Sequence, residues 1–209
     1  MTESVTVFVI DDDASVRKGL TRLLRSAGYE IEAFDSADSF LARERYEGTG
    51  CIVLDLRMPV VSGIELQERL DSIDCTLPVI FLSGHAGIPD SVKAMKHGAV
   101  DFLTKPVDED ELLTAISTSL DLHRSRLVTE TEVHAIRQRV DSLTARELET
   151  AQWLITGALN KQIADKLGIT EKTVKVHRAN IKQKMGAPSI AELVRLCSIA
   201  GIDPKSLQE

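Results

Sequence analysis

Asp11, Asp12 and Asp13 directly follow the apolar run Val5 to Ile10, Asp55 follows Cys51 to Leu54, Ser83 follows Val79 to Leu82, and Lys105 stands just beyond Asp101 to Leu103. Two like charges about 4 Å apart repel by about 4 kcal/mol at an effective dielectric of about 20, so gathered carboxylates require a cation or a neighbouring ammonium. Hard oxygen ligands with water in the remaining positions suit a magnesium ion. A carboxylate, a hydroxyl and an ammonium converging on such an ion are equipped for phosphoryl transfer. The carboxylate attacks phosphorus, the ammonium and metal offset charge on the equatorial oxygens, and the hydroxyl donates a hydrogen bond to one of them. Asp13 also reads as a cap for a helix opening at Ala14.

These groups work together only if the apolar runs before them lie side by side. Val5 to Ile10, Tyr29 to Phe34, Cys51 to Leu54, Val79 to Leu82 and Asp101 to Leu103 read as five strands. Helical stretches alternate with them: Ala14 to Ala27 stopped by Gly28, Ser36 to Tyr46, Ser62 to Leu70, Pro89 to His97 stopped by Gly98, and one from Asp108. Ser62 and Glu65 form a capping box at one of these starts. Continuous apolar strands alternating with helices predict a parallel sheet covered on both faces, a doubly wound α/β domain whose chemistry gathers at the carboxyl ends of its strands.

The second half changes character. No glycine or proline occurs between Val107 and Thr156, so the connection is expected to be helical. Leu113, Ile116, Leu120 and Leu127 keep a seven-residue apolar phase in it, and Val133, Ile136, Val140 and Leu143 resume it one residue earlier, with a weak or solvated point expected near Arg124 to Glu132. Thr144 and Glu147 form a second capping box opening a helix that Gly157 ends; Asn160 is placed to cap Lys161 to Leu167. Gly168, Ile169 and Thr170 turn into a helix from Glu171 to Met185, and Ser189 starts a last one through Cys197. Four short helices with a three-residue turn between the middle pair describe a helix-turn-helix domain. The expected layout is a domain over 1–122, a helical linker over 123–140 and an all-α domain over 141–209.

At 209 residues, 43% hydrophobic and 27% charged, the chain suits two folded domains and excludes a fibrous or disordered protein. The net charge of −7 argues against nucleic acid until it is divided: 11 basic against 22 acidic residues lie in 1–123, but 10 against 7 in 144–209. The apolar runs fall far short of the roughly 20 residues that span a bilayer, and no basic start with a long apolar block marks secretion. Cys51, Cys75 and Cys197 lack metal-ligand spacing and sit among apolar residues, as reduced thiols of a cytoplasmic protein would.

The motifs VIDDD (Val9 to Asp13), VLDLRMPVVSG (Val53 to Gly63), FLSGH (Phe81 to His85) and DFLTKP (Asp101 to Pro106) resemble those of the receiver domain of bacterial two-component response regulators, over about residues 4–122. The resemblance implies a flavodoxin-like five-stranded fold. It makes Asp55 the phosphoacceptor for a sensor histidine kinase and places Mg on Asp11, Asp12, Asp55 and the backbone carbonyl of Arg57. Ser83 becomes the switch hydroxyl and Lys105 the partner of the phosphoryl group. Phe102 stands at the family's rotating aromatic, or is a plain strand-end core residue. The family also implies dimerisation on phosphorylation through the face around Pro89 to His97 and the fifth strand, with which Ile88 and Val100 are compatible.

Leu143 to Glu149 and Leu159 to Ala187 resemble the LuxR-type helix-turn-helix, and Arg178-Ala179-Asn180 leans toward the FixJ subgroup. In the helix after Thr170, Val174, Ile181 and Met185 recur at helical spacing and should face the core. Lys172, Thr173, Lys175, Val176, Arg178, Ala179 and Lys182 are then left for a groove. Arg and Lys can bond guanine edges or phosphates, and Val or Ala can touch a thymine methyl. His177 is either a phosphate contact or a packed ring. The two resemblances together imply a transcription regulator that binds promoter DNA and engages RNA polymerase, with no catalytic turnover beyond slow self-dephosphorylation. Two other readings use the same residues: a Mg-dependent phosphohydrolase acting through Asp55, and a receiver-controlled RNA-binding antiterminator, which would need exposed aromatics for single-stranded bases.

Overall fold

The computed structural model describes residues 5–84 and 88–205. His85, the end of the FLSGH motif, lies outside them, and so do the side chains of 88–90 that belong to the expected dimer face. Strands β1 (Thr6–Ile10), β2 (Glu30–Phe34), β3 (Gly50–Asp55), β4 (Val79–Ser83) and β5 (Asp101–Thr104) form one parallel sheet in the order β2-β1-β3-β4-β5. β1, β3 and β4 are buried along their whole length, which is why they read as unbroken apolar runs; β2, at an edge, is exposed or half-buried throughout.

Alternation along the strands sends side chains to two faces. Val7, Val9, Val53, Ile80 and Leu82 meet Leu20 and Leu24 of α1 (Ala14–Ser26) and Leu112, Ile116 and Leu120 of α5 (Glu109–Asp141). Phe8, Ile10, Ile52, Leu54 and Phe81 meet the helices of the other face, α2 (Ala37–Leu41), α3 (Gly63–Ser72) and α4 (Ile88–Lys96). The starts are built as expected: the Asp13 carboxylate accepts the N–H groups of Ser15 and Val16, and Ser62 with Glu65 closes a full capping box. Gly28 and Gly98 take φ values of 92° and 84° at the stops.

Two expectations are corrected. The helix expected over Ser36 to Tyr46 ends at Leu41, because the following chain is used for tertiary contacts that a helix would not allow. Arg43 lies over the rings of Phe8 and Phe40, and Tyr46 turns back to pack edge-on against Phe8 and donate its hydroxyl to Thr6 Oγ1 at 3.0 Å. In α5 the buried stripe is Leu112, Ala115, Ile116, Ser119, Leu120 and His123, whereas Leu113 and Leu127 are only half-buried. A straight helix of 3.6 residues per turn follows this stripe better than a seven-residue phase. The helix continues unbroken through Arg124 to Glu132, and every residue there except the half-buried Leu127 is exposed, so the point expected to be weak or solvated is a solvated one.

The chain divides into two compact units, Met1–Leu127 and Val128–Glu209, a boundary inside the 123–140 segment expected to be linker. In the second unit, α6 (Ala145–Leu154), α7 (Asn160–Leu167), α8 (Glu171–Met185) and α9 (Ile190–Ala200) enclose Leu154, Ile163, Val174, Ile181, Leu193 and Leu196. The end of α5 joins this core through Ile136, with Val140 and Leu143 packed beside it, so the resumed apolar phase belongs to the second unit. Among the described residues no helix is long and apolar enough to cross a membrane.

Candidate functional site

Register builds the first site. Ile10 pairs with Leu54, so Asp11 and Asp55 leave the sheet's interior side by side; Ser83 pairs with Thr104, so Lys105 follows one step beyond. The order β2-β1-β3 makes the gap between β1 and β3 the point where the winding reverses, the usual crevice of such sheets. Lys105 Nζ reaches across it to Asp11 Oδ2 and Asp55 Oδ1, both at 2.5 Å. The other oxygens are held by backbone: Asp11 Oδ1 accepts Asp13 N–H and Asp55 Oδ2 accepts Arg57 N–H, both at 2.9 Å. Asp11 is 1% exposed, Asp55 6% and Ser83 1%.

Burial decides the electrostatics. It pushes the Asp55 carboxyl above its ordinary value, outweighing the hydrogen bond and charge of Lys105, while the neighbouring Asp11 adds to the rise. Burial pulls the Lys105 ammonium down, but its bonds to Asp11 and Asp55 and their charges carry it above its usual value. Gly63 keeps the loop after β3 close: a Cβ there would lie 2.4 Å from the Asp55 carbonyl oxygen and 3.1 Å from Leu56 Cα.

The structure thus brings Asp11, Asp55 and Lys105 together, with Ser83 buried at the end of the adjacent strand, and leaves Asp12 exposed on the loop. Among the described residues no three His, Cys, Asp or Glu side chains form a group that could hold a metal. The donor set nonetheless fits magnesium, which binds through one or two carboxylates and keeps several waters. Two buried carboxylates share one ammonium, Asp12 adds charge nearby, and Asp55 remains under-compensated. Phe102 is half-buried and stacked on Phe81 with ring centroids 6.2 Å apart. Sequence reasoning missed Arg17, whose guanidinium holds the Asp11 carbonyl at 2.6 Å. Its place one helical turn beyond the Asp13 cap is the only signal it offered.

The second site is the outer face of α8. Thr170 caps it by accepting Thr173 N–H at 3.1 Å, and Gly168, at φ 64°, makes the turn from α7. Val174, Ile181 and Met185 are buried as expected; Lys172, Lys175, Val176, Ala179 and Lys182 are exposed, and Thr173 and Arg178 half-buried. Arg178 is also tied down, donating to Asn160 Oδ1 at 2.8 Å. Asn160 is therefore the first residue of α7 and a tether between helices, not its cap; Leu159 holds the cap position, and its N–H is taken by Gln162 Oε1. His177 buries Nδ1 without a hydrogen-bond partner among the described residues. Glu147, 3% exposed, accepts from Lys184 Nζ at 2.6 Å, and this bond, with those from Thr144 and Asn180, lowers its carboxyl to about 2.

Residues 7–117 match the response regulator receiver domain, and residues 141–197 match the luxR family of bacterial regulatory proteins. The chain is a response regulator. It belongs to the two-component, DNA-binding regulators of transcription that join these two domains. This response regulator is 44% identical to the response regulator protein TodT of Pseudomonas putida over 91% of its own length and 84% of TodT's. It is 41% identical to the transcriptional regulatory protein FixJ of Bradyrhizobium diazoefficiens over 97% of the chain and 98% of FixJ. Among solved structures, the response regulator StyR is similar at 51% identity, with a TM-score of 0.82 over 93% of this chain and 98% of StyR. The relatives are regulators of transcription rather than enzymes, and the regulator's helical second unit is a luxR-family DNA-binding domain.

Proposed function

We propose that a sensor histidine kinase phosphorylates this regulator on Asp55, and that phosphorylation controls binding of α8 to promoter DNA. The observation that carries this reading is the buried Asp55 carboxylate joined to Asp11 through Lys105 at the strand ends. The Asp55 oxygen forms a P–O bond as the donor's phosphohistidine P–N bond breaks; the departing imidazole keeps the electron pair and takes a proton from water. Asp11, Asp55, the Arg57 carbonyl and the exposed Asp12 would hold magnesium, which supplies positive charge to the phosphoryl oxygens. Lys105 exchanges its bond to the Asp55 carboxylate for one to the phosphoryl group. Ser83 accompanies it as the switch hydroxyl, and Phe102 carries the change outward from its stack on Phe81. Phosphorylation is followed by homodimerisation, promoter binding and contact with RNA polymerase in the cytoplasm, and the phosphoryl group is lost only slowly.

On DNA, Lys172, Thr173, Lys175, Val176, Arg178 and Lys182 line the helix face offered to the major groove. The luxR-family match favours this output over an RNA-binding one. Incubation with phosphoramidate and magnesium should load one phosphoryl group on the intact chain and none on Asp55→Asn. Loading that persists in that variant, or that survives a chelator, contradicts the assignment. Lys175→Ala should weaken operator binding by about 1–3 kcal/mol if the lysine reads a base, with relaxed preference at one position. A phosphate contact would instead weaken all sequences alike and flatten the salt dependence.

A further inference from the structure

Every polar atom of Asp11 is engaged. Its N–H donates to the Phe34 carbonyl at 3.2 Å, its Oδ1 accepts Asp13 N–H at 2.9 Å, its Oδ2 takes the Lys105 ammonium, and its carbonyl accepts the Arg17 guanidinium at 2.6 Å. The first bond belongs to the sheet edge, and the second and third belong to the acidic rim. The fourth comes from the first turns of α1, a helix already capped by Asp13 and anchored in the core by Leu20 and Leu24. Arg17 itself is only half-buried, and α1 carries no acidic residue with which it could pair.

What the fourth bond fixes is a peptide group. The atoms from Cα of Asp11 to Cα of Asp12 lie in one plane, so holding the Asp11 oxygen sets the tilt of the plane from which Asp12 starts. Asp12 needs such a restraint, because it stands exposed beyond the end of β1, outside the hydrogen-bonded ladder. A carbonyl bonded by a guanidinium is also held more firmly than one bonded by a neutral donor. Lys18, Arg22 and Arg25, the other basic residues of α1, are exposed.

The geometry points to Arg17 as a positioning residue for magnesium, which acts through the peptide joining Asp11 to Asp12 and not as a ligand. The inference rests on the acidic rim being the metal site. Two effects of opposite sign meet in this side chain. Its charge opposes a divalent cation nearby, whereas its hydrogen bond keeps two carboxylates in place before the ion arrives. A half-exposed charge is screened by water and salt. Ligands fixed in advance lose less freedom on binding, and residues that orient metal ligands typically matter about tenfold to a hundredfold in affinity. The bond therefore outweighs the charge, and the sign of the change on removing Arg17 tells which of the two governs.

Calorimetric titration of the full chain with magnesium chloride reads the affinity without any phosphoryl transfer. Arg17→Met removes the guanidinium and keeps an apolar stem, Arg22→Met removes an exposed charge from the same helix, and Arg17→Lys keeps the charge without the planar donor group. Arg17→Met should weaken magnesium binding about tenfold. Arg22→Met should leave it within about twofold, and Arg17→Lys should fall between the two. In loading by phosphoramidate, the Arg17→Met defect should lie in the magnesium concentration that gives half the rate and not in the rate at saturation. Tighter binding by Arg17→Met means that charge governs, and equal binding means that the bond positions nothing; either overturns the inference. So does a loading defect that saturating magnesium leaves in place, which would assign Arg17 to the acceptor site itself. Should Arg17→Met fail to fold, Arg17→Lys carries the test alone, and an affinity equal to that of the unaltered chain overturns the role. An unaltered chain that binds no magnesium removes the underlying metal site instead, and the inference with it.

Discussion

Asp55 carries its charge where charge is disfavoured: burial raises its carboxyl, and Lys105 only partly offsets that. A carboxyl whose folded value lies above its unfolded one binds protons more tightly when folded, so its ionised form at neutral pH subtracts from stability. Asp55→Asn should therefore abolish loading yet raise thermal stability, by on the order of 1 kcal/mol, with Lys105 still paired to Asp11. Calorimetry near neutral pH measures this, and a lowered melting temperature contradicts it. The chemical residues were legible in the sequence because each is a polar group set directly after an apolar run, and parallel register turns that order into proximity. Arg17 was not, because its bond to the Asp11 carbonyl depends on how α1 turns back over the strand end, and nothing in the string separates it from the other basic residues of that helix.

Helix α8 is clamped at its last turn by residues distant in sequence. Lys184 joins Glu147 and the Ser142 carbonyl, and Arg139 of α5 donates to the Met185 carbonyl at 3.3 Å. The Glu147 capping box was legible as a local pattern; its second use as the lysine's partner was not, since Lys184 lies 37 positions away. The extent of α2 was hidden for the same reason: Arg43 and Tyr46 are compatible with a helix locally, and only their contacts to Phe8 and Thr6 end it. Lys184→Met should destabilise the helix-turn-helix unit by on the order of 2–4 kcal/mol, because it leaves a buried carboxylate without its cation. The ordinary value of the Glu147 carboxyl, 4.5, falls to about 2 in the fold. Its stabilisation is thus fully present above about pH 4.5 and lost as pH falls toward 2. Denaturation curves of the unaltered chain and Glu147→Gln should converge over that interval; a gap that widens on acidification rejects the ion pair's role.

At the scale of the whole chain, the question is where the receiver ends. His123 is 2% exposed on α5; its Nδ1 accepts Gly50 N–H at 3.0 Å and its Nε2 lies 3.2 Å from Thr76 Oγ1. An Nδ1 that accepts must be unprotonated, so the ring is the Nε2–H tautomer, and burial first, then the charge of Arg126, lowers its pKa. In the sequence His123 reads as an interruption of an apolar phase, whereas in the fold it fastens the helix to the start of β3. A fragment cut after Leu122 loses this bond and one cut after Leu127 keeps it. We expect residues 1–127 to load phosphoryl groups like the full chain, and residues 1–122 to unfold at lower denaturant concentration by about 1–3 kcal/mol. Equal midpoints for the two fragments would deny the histidine that role.

The three cysteines, reduced and scattered through both units, give the protein a built-in chemical reporter. Cys51 lies fully buried in β3 with its thiol pushed up to about 12, Cys197 is buried in α9 with its thiol also raised by burial, and Cys75 alone is partly open to solvent. Alkylation proceeds through the thiolate and needs access. A maleimide should therefore mark the native protein once, at Cys75, and three times only after unfolding. That single label would sit one residue from Thr76, the hydroxyl partner of His123, and so report on the fastening of α5 without any engineered substitution.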